Sequence, residues 1–172
     1  MPLALAEGEG LLVFALEGLR LALPASRVVE VLRAAALAPL PTAPAAVAGL
    51  LDLRGTPVPV LDLRGKLTLP PRALHPSEHF VLFHALGRLL GVRVDRALDF
   101  LSADAVHALE AQGPFAPDPL LSGVARGPEG LLLVHDPDRF LTSDEALRLD
   151  GAVRDLLADA AGAPETAEPG ES

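Results

Sequence analysis

Cysteine, tryptophan and tyrosine are absent from this 172-residue chain, and methionine occurs once. Without thiols there is no disulfide framework, no thiolate metal site and no cysteine nucleophile. Six phenylalanines are the only aromatic side chains, so a core must be built from Leu, Val and Ala. Positive charge is scarce: 14 Lys and Arg against 23 Asp and Glu leave a net charge of −9. That balance argues against nucleic acid, where affinity comes from cations neutralising phosphates, and against anionic membrane surfaces. No apolar run approaches the ~18 residues of a transmembrane helix. The opening MPLALAEGEG lacks the basic segment and long apolar stretch of a secretory signal. The expectation is a cytoplasmic protein with no nucleic-acid partner and no direct membrane insertion.

What the chain does have is short apolar runs between glycines and prolines. Half of its residues are apolar, and 17 prolines with 15 glycines argue against long helices. After a flexible lead-in over 1–10, LLVFAL (11–16) and LRLAL (19–23) flank Glu17-Gly18 and predict a β-hairpin. Val28 to Leu32 predicts a strand whose single glutamate, Glu30, marks the solvent face. A proline-punctuated loop covers 36–45, and Pro44 to Ala48 predict one helical turn ended by Gly49. A second proline-rich stretch, 68–77, predicts the break between two similar halves. Beyond it, FVLFHA (80–85) and RLLGVRV (88–94) repeat the hairpin style around Leu86-Gly87, and ALDFL (97–101) adds a strand. Ser102 to Ala111 predict a short capped helix, residues 112–119 a loop, and 120–125 with 131–134 a further hairpin. Thr142 and Glu145 form a capping box. Ala146, Leu149, Val153, Leu156 and Ala160 then recur at helical spacing, with Gly151 weakening the helix by about 1 kcal/mol. The tail, 163–172, predicts disorder. Short strands in two similar halves point to two small β-barrels over residues 11–160, joined by a continuous core.

Within the first half, just before that break, lies a repeated tetrapeptide. Asp52-Leu53-Arg54-Gly55 and Asp62-Leu63-Arg64-Gly65 each close a short apolar run. The two runs predict a hairpin turning at Gly-Thr-Pro, with Pro59 requiring an edge position or a bulge. Both arginines read as solvated strand ends, or as ion pairs with Asp52 and Asp62.

Chemistry-bearing motifs are few. None of the six serines sits in a G-x-S-x-G elbow, and neither phosphate-binding glycine motif is present. Pro76 argues against a helical pair of His75 and His79, and His135-Asp136 is a weak metal candidate. Asp52 with Asp62, or Asp95 with Asp99, are the carboxylate pairs from which a hydrolase would be built. The residues by themselves read as a non-enzymatic binding module without cofactor or metal, working through an apolar surface with a few placed charges.

The chain resembles the CheW-like chemotaxis adaptors. LLVFALEGLRLALP followed by VVEVLR, a proline-rich gap and GLLDLRGTPVPVLDLRGKL carry the resemblance in the first half. RLLGVRVDRALDFLSAD and SGVARGPEGLLLVHDPDRFL carry it in the second. It covers about residues 11–160, with Asp52 standing where the family usually has Asn. The resemblance implies a mostly β fold of two SH3-like five-stranded barrels packed together, with short helices and a C-terminal helix. It implies no enzymatic activity and two partners: the regulatory domain of a CheA-type histidine kinase and the cytoplasmic tip of a methyl-accepting chemoreceptor. By matching position it nominates Val28, Glu30, Val31, Gly49, Arg54 and Gly55 as partner-binding. Gly91, Val94, Asp95, Asp99 and Leu101 match a segment read mainly as fold. A place in a larger kinase or receiver fusion is not expected, because only about ten residues precede the first strand and a short tail follows the last helix.

Overall fold

The structure, a computed structural model, describes residues 8–109 and 120–162. Within them the chain forms β1 (Leu11–Leu16), β2 (Leu19–Pro24), β3 (Val28–Arg33), β4 (Val47–Leu53), β5 (Thr56–Leu61), β6 (His79–Ala85), β7 (Arg88–Val94), β8 (Arg96–Leu101), β9 (His107–Leu109), β10 (Leu121–Gly127), β11 (Gly130–His135) and helix α1 (Ser143–Gly162). The expected loop over 112–119, the tail over 163–172 and residues 1–7 of the lead-in lie outside the described residues. Glu9 and Gly10, at the end of that lead-in, are tied by hydrogen bonds to Ser26 and Ala25.

Three hairpins share one turn. Glu17-Gly18, Arg54-Gly55 and Leu86-Gly87 are two-residue loops in which both residues have positive φ: 48° and 75°, 49° and 87°, 54° and 72°. That is the primed geometry whose twist matches the flanking strands, and glycine at the second position removes half its steric cost. The second hairpin therefore turns at Arg54-Gly55, one step earlier than Gly-Thr-Pro, and Thr56 already belongs to β5.

The strands assemble into two sheets, ordered β8-β1-β2-β11-β10-β9 and β3-β6-β7-β5-β4. One sheet thus has six strands where five are expected. Neither closes through a continuous ladder, though the Ala38–Leu50 bridge joins the segment after β3 to the opposite edge of the five-stranded sheet. The proline-rich stretch 68–77 does not separate the sheets, since β5 before it and β6 after it belong to the same one. The chain passes between sheets elsewhere, after β2 through the 3-10 turn Ala25–Arg27 and at Asp95 between β7 and β8. The prolines mark a long connection that folds back on itself, with Leu69 N–H donating to Arg64 O at 2.8 Å.

Because both faces of the inner strands are covered, period-2 alternation sorts side chains into separate cores. Leu11, Val13, Ala22, Ala125, Leu132 and Val134 fill the six-stranded sheet. Leu51, Val58, Val60, Phe80 and Leu82 fill the five-stranded one. The intervening residues of the same strands, including Phe14, Leu21, Leu23, Val81, Phe83 and Val92, point into a larger core shared by both sheets and by Leu149 and Ala152 of α1. Phe83 and Phe140 meet edge to face there at 5.6 Å. Each such buried side chain contributes about 1.5–3 kcal/mol of transfer free energy.

Local expectations meet mixed outcomes. The capping box closes reciprocally: Glu145 N–H donates to Thr142 Oγ1 at 3.1 Å and Thr142 N–H to Glu145 Oε1 at 2.9 Å. The helical turn expected at Pro44 to Ala48 is a tight turn in which Val47 N–H donates to Pro44 O, and β4 begins at Val47. The helix expected from Ser102 is a single 3-10 turn, Ala103–Ala105, and Ser102 makes no capping bond. The chain then extends as β9, because the open edge of β10 offers a backbone ladder. Pro57 and Pro59 lie in the part of β5 that runs past its two-residue ladder with β7, so no bond to that neighbour is lost there.

Candidate partner-binding site

The tip of the β4–β5 hairpin holds itself in shape. Asp52 Oδ1 accepts from Gly55 N–H at 2.8 Å across the two-residue turn. This fixes Arg54, whose side chain is 77% exposed, beside Glu30 of β3, with Nη2 3.3 Å from Oε2. Arg54 and Glu30 come from opposite edges of the five-stranded sheet and meet because the sheet curls toward closure at Ala38–Leu50. Gly49 makes that approach possible. A Cβ there would stand 2.7 Å from Ala38 O and 2.9 Å from Leu37 Cβ. Gly49 is buried and serves this close approach, whereas Arg54 and Gly55 are exposed.

Strand β3 inverts the expected alternation. Val29, Val31 and Arg33 face outward, while Val28, Glu30 and Leu32 are half-buried. Val28 packs against the shared core, and Glu30 leans toward Arg54 rather than into open solvent. A register shift against β6 between Val28 and Glu30 accompanies the inversion. Val29, 49% exposed and absent from the expected site, therefore joins Val31, 38% exposed, on the outermost strand of its sheet. Consecutive valines either side of Glu30 were the available signal, since VVEV supplies an apolar side chain to both faces.

The outermost strand of the other sheet, β8, carries Phe100, 59% exposed. β8 is linked to β3 near both ends, each time through one intermediate. Ala97 N–H donates to His79 Nδ1 at 3.0 Å, and His79 stands opposite Arg33 at the end of β3. At the other end the Phe100 ring lies against Gly10, whose carbonyl accepts from Ala25 N–H just before β3. Each sheet thus presents an outer strand with exposed apolar side chains, Val29 and Val31 on β3 and Phe100 on β8.

The second tetrapeptide is built quite differently. Arg64 is 1% exposed. Its guanidinium donates to Glu17, in the β1–β2 turn, and through Nη2 to Asp95 Oδ1 at 2.6 Å. Asp95 in turn accepts from Glu17 N–H at 2.7 Å, and its own N–H donates to Ala15 O at 2.9 Å. Burial alone would lower the Arg64 pKa, but the Glu17 hydrogen bond and the charges of Asp95, Glu17 and Asp62 outweigh it and hold the pKa above its ordinary value. Nε of Arg64 is buried with no hydrogen-bond partner among the described residues. Asp62 Oδ1 accepts from Arg64 N–H and Oδ2 lies 3.5 Å from Arg93, which grips Glu78, itself 1% exposed, through two 3.0 Å bonds. Reading Arg64 as a solvated strand end is thus corrected, and Glu78 and Arg93 are charged residues that the strand pattern alone does not reveal as buried.

The other chemical candidates disperse. Asp52 and Asp62 lie at opposite ends of the hairpin, one closing the turn and the other beside Ala46, so they form no carboxylate pair. Asp99 accepts from the N–H of its neighbour Phe100, while Asp95 belongs to the Arg64 cluster. His75 bonds Ser77 and His79 takes the Ala97 N–H. His135 is buried, with Nδ1 3.0 Å from Leu133 O. Among the described residues no group of three or more His, Asp or Glu is placed to hold a metal ion, and no helix is long and apolar enough to cross a membrane.

Comparison with known proteins agrees with this architecture. A family model for the CheW-like domain matches residues 10–145. Protein FrzA of Myxococcus xanthus is 42% identical over 64 residues, 34% of this chain and 40% of that protein, so the match spans less than half of FrzA. The crystal structure of the scaffolding protein TtCheW from Thermoanaerobacter tengcongensis superposes with a TM-score of 0.69 at 18% identity, covering 80% of this chain and 95% of the other, a likeness of fold. Two sheets with SH3-like connectivity and a family match over most of the chain converge: the chain belongs to the CheW-like domain family, whose members are non-enzymatic scaffold proteins.

Proposed function

We propose that this chain couples chemoreceptors to a CheA-type histidine kinase, working in the cytoplasm at receptor arrays. The observation that carries the reading is the outermost strand β3, with Val29 and Val31 exposed beside the Arg54–Glu30 pair. A strand end of this kind suits docking of a second β-barrel by its edge, where backbone bonds give affinity and side chains give specificity. The regulatory domain of the kinase is the partner of that chemistry. Arg54 offers it a fork of donors, with Gly55 leaving the approach unobstructed. Of the six nominated residues, Glu30, Val31, Arg54 and Gly55 make this contact, while Val28 and Gly49 support it from the core side. The junction where β3 and β8 are linked, with Val31 and Phe100, takes the helical tip of the receptor, whose apolar positions would cover them.

The test is calorimetric titration of the protein with the regulatory domain of a CheA-type kinase and, separately, with a receptor cytoplasmic fragment, both from its source organism. Arg54→Ala should weaken the kinase titration about tenfold, the cost of one charge-assisted contact. Val31→Glu should weaken both. An absence of binding to either partner by the wild-type chain at low and physiological salt would overturn the reading.

A further inference from the structure

Resting on that reading of the β3–β8 junction, we propose that Arg64 is a positioning residue that sets the spacing of the two strands and so the shape presented to the receptor. The two strands belong to different sheets, and their separation depends on how the sheets are joined. The shared core joins them firmly, but apolar contacts are non-directional and tolerate sliding. Arg64 supplies direction. It follows β5 of the five-stranded sheet and reaches Glu17, in a turn of the six-stranded sheet, and Asp95, the residue at which the chain leaves one sheet for the other. Asp95 immediately precedes Arg96, the first residue of β8. The clamp therefore pins the root of the strand that forms one wall of the junction.

Two observations favour orientation over stability as its purpose. A buried ion cluster is commonly no more stabilising than apolar groups of similar volume, because desolvation offsets the attraction. And among the described residues the Nε–H of Arg64 is buried without a partner, a cost that a side chain chosen only for stability would avoid. The fork is committed to two carboxylates on two elements at the expense of its fifth donor.

The experiment exploits the missing cysteines. Spin labels at Arg33→Cys on β3 and Asp99→Cys on β8, both exposed positions, report the strand-to-strand distance by double electron–electron resonance. They are introduced into the wild-type background and into Arg64→Met combined with Glu17→Gln and Asp95→Asn, which removes the charges together and so avoids stranding one. The expected result is a single narrow distance in the first and a shifted or broadened distribution in the second, at near-native circular dichroism. In unlabelled proteins the receptor-fragment affinity should fall while kinase-domain affinity, whose contacts on β3 and the β4–β5 tip belong to one sheet, stays within twofold. Arg64→Lys, which keeps a charge but reaches only one carboxylate, is the second variant should the triple one fail to fold, and it should shift the distance in the same sense. An unchanged distribution in a folded variant would overturn the positioning role. A moved distance with unchanged receptor affinity would uphold that role and overturn the receptor reading of the junction.

Discussion

Asp52-Leu53-Arg54-Gly55 and Asp62-Leu63-Arg64-Gly65 are the same four residues, ten positions apart, and they do opposite work. In the first, aspartate closes a turn, arginine stands in water and glycine occupies the left-handed region at φ 87°. In the second, aspartate joins a buried network, arginine is sealed between two sheets and glycine is not among the positive-φ positions. The lesson is that a tetrapeptide carries donors and acceptors but not their surroundings. The first copy falls at the end of a hairpin, where Asp52, Arg54 and Gly55 stay exposed. The second falls where the chain leaves β5, with a turn of the neighbouring sheet and the β7–β8 crossover close by.

Substitution at matched positions tests this contrast directly. Arg64→Ala should cost about 3 kcal/mol in urea unfolding, the lower end for breaking a buried pair because Glu17 and Asp95 keep some contact with water. Gly55→Ala should cost about 1 kcal/mol, since an L side chain in the left-handed region is strained. Asp52→Ala should cost about 0.5–1 kcal/mol by removing the bond to Gly55 N–H, and Asp52→Asn, which keeps an acceptor, should restore most of it. Arg54→Ala should stay within about 0.5 kcal/mol of wild type, as exposed ion pairs contribute little. Gly65→Ala should be smallest of all, because a Cβ there meets nothing within 4 Å. Equal losses for Arg54→Ala and Arg64→Ala in the same unfolding experiment would erase the contrast.

Much of the fold was legible in the sequence wherever a local rule decides. Glu17-Gly18 and Leu86-Gly87 announce their hairpins because turn chemistry is set by two residues, and Thr142 with Glu145 announces α1 for the same reason. What stayed hidden depends on distant partners. Ser102 to Ala111 look helical until the edge of β10 offers a ladder. Glu30 looks solvent-facing until Arg54 arrives from the far edge of the sheet. The buried charges of Arg64, Glu78 and Arg93 have no sequence signature, since the ion-pair partners of each lie well away along the chain. Of the nominated residues the structure leaves Arg54, Gly55 and Val31 exposed, and beside them it exposes Val29, whose exposure follows from the inverted alternation of β3.

The order of the strands also bears on how the molecule comes into being. The five-stranded sheet uses only β3 to β7, one uninterrupted length of chain, whereas the six-stranded sheet takes β1 and β2 from before it and β8 to β11 from after it. On a ribosome, the five-stranded sheet has all its strands once residue 94 has emerged. The β1–β2 hairpin must wait for β8, and Leu11 for Leu101, before one edge is covered, and for β11 before the other is. One sheet is thus nested within the other like a parenthesis inside a sentence, and the outer one, dominated by non-local pairing of the kind that slows folding, is the last to have all its strands.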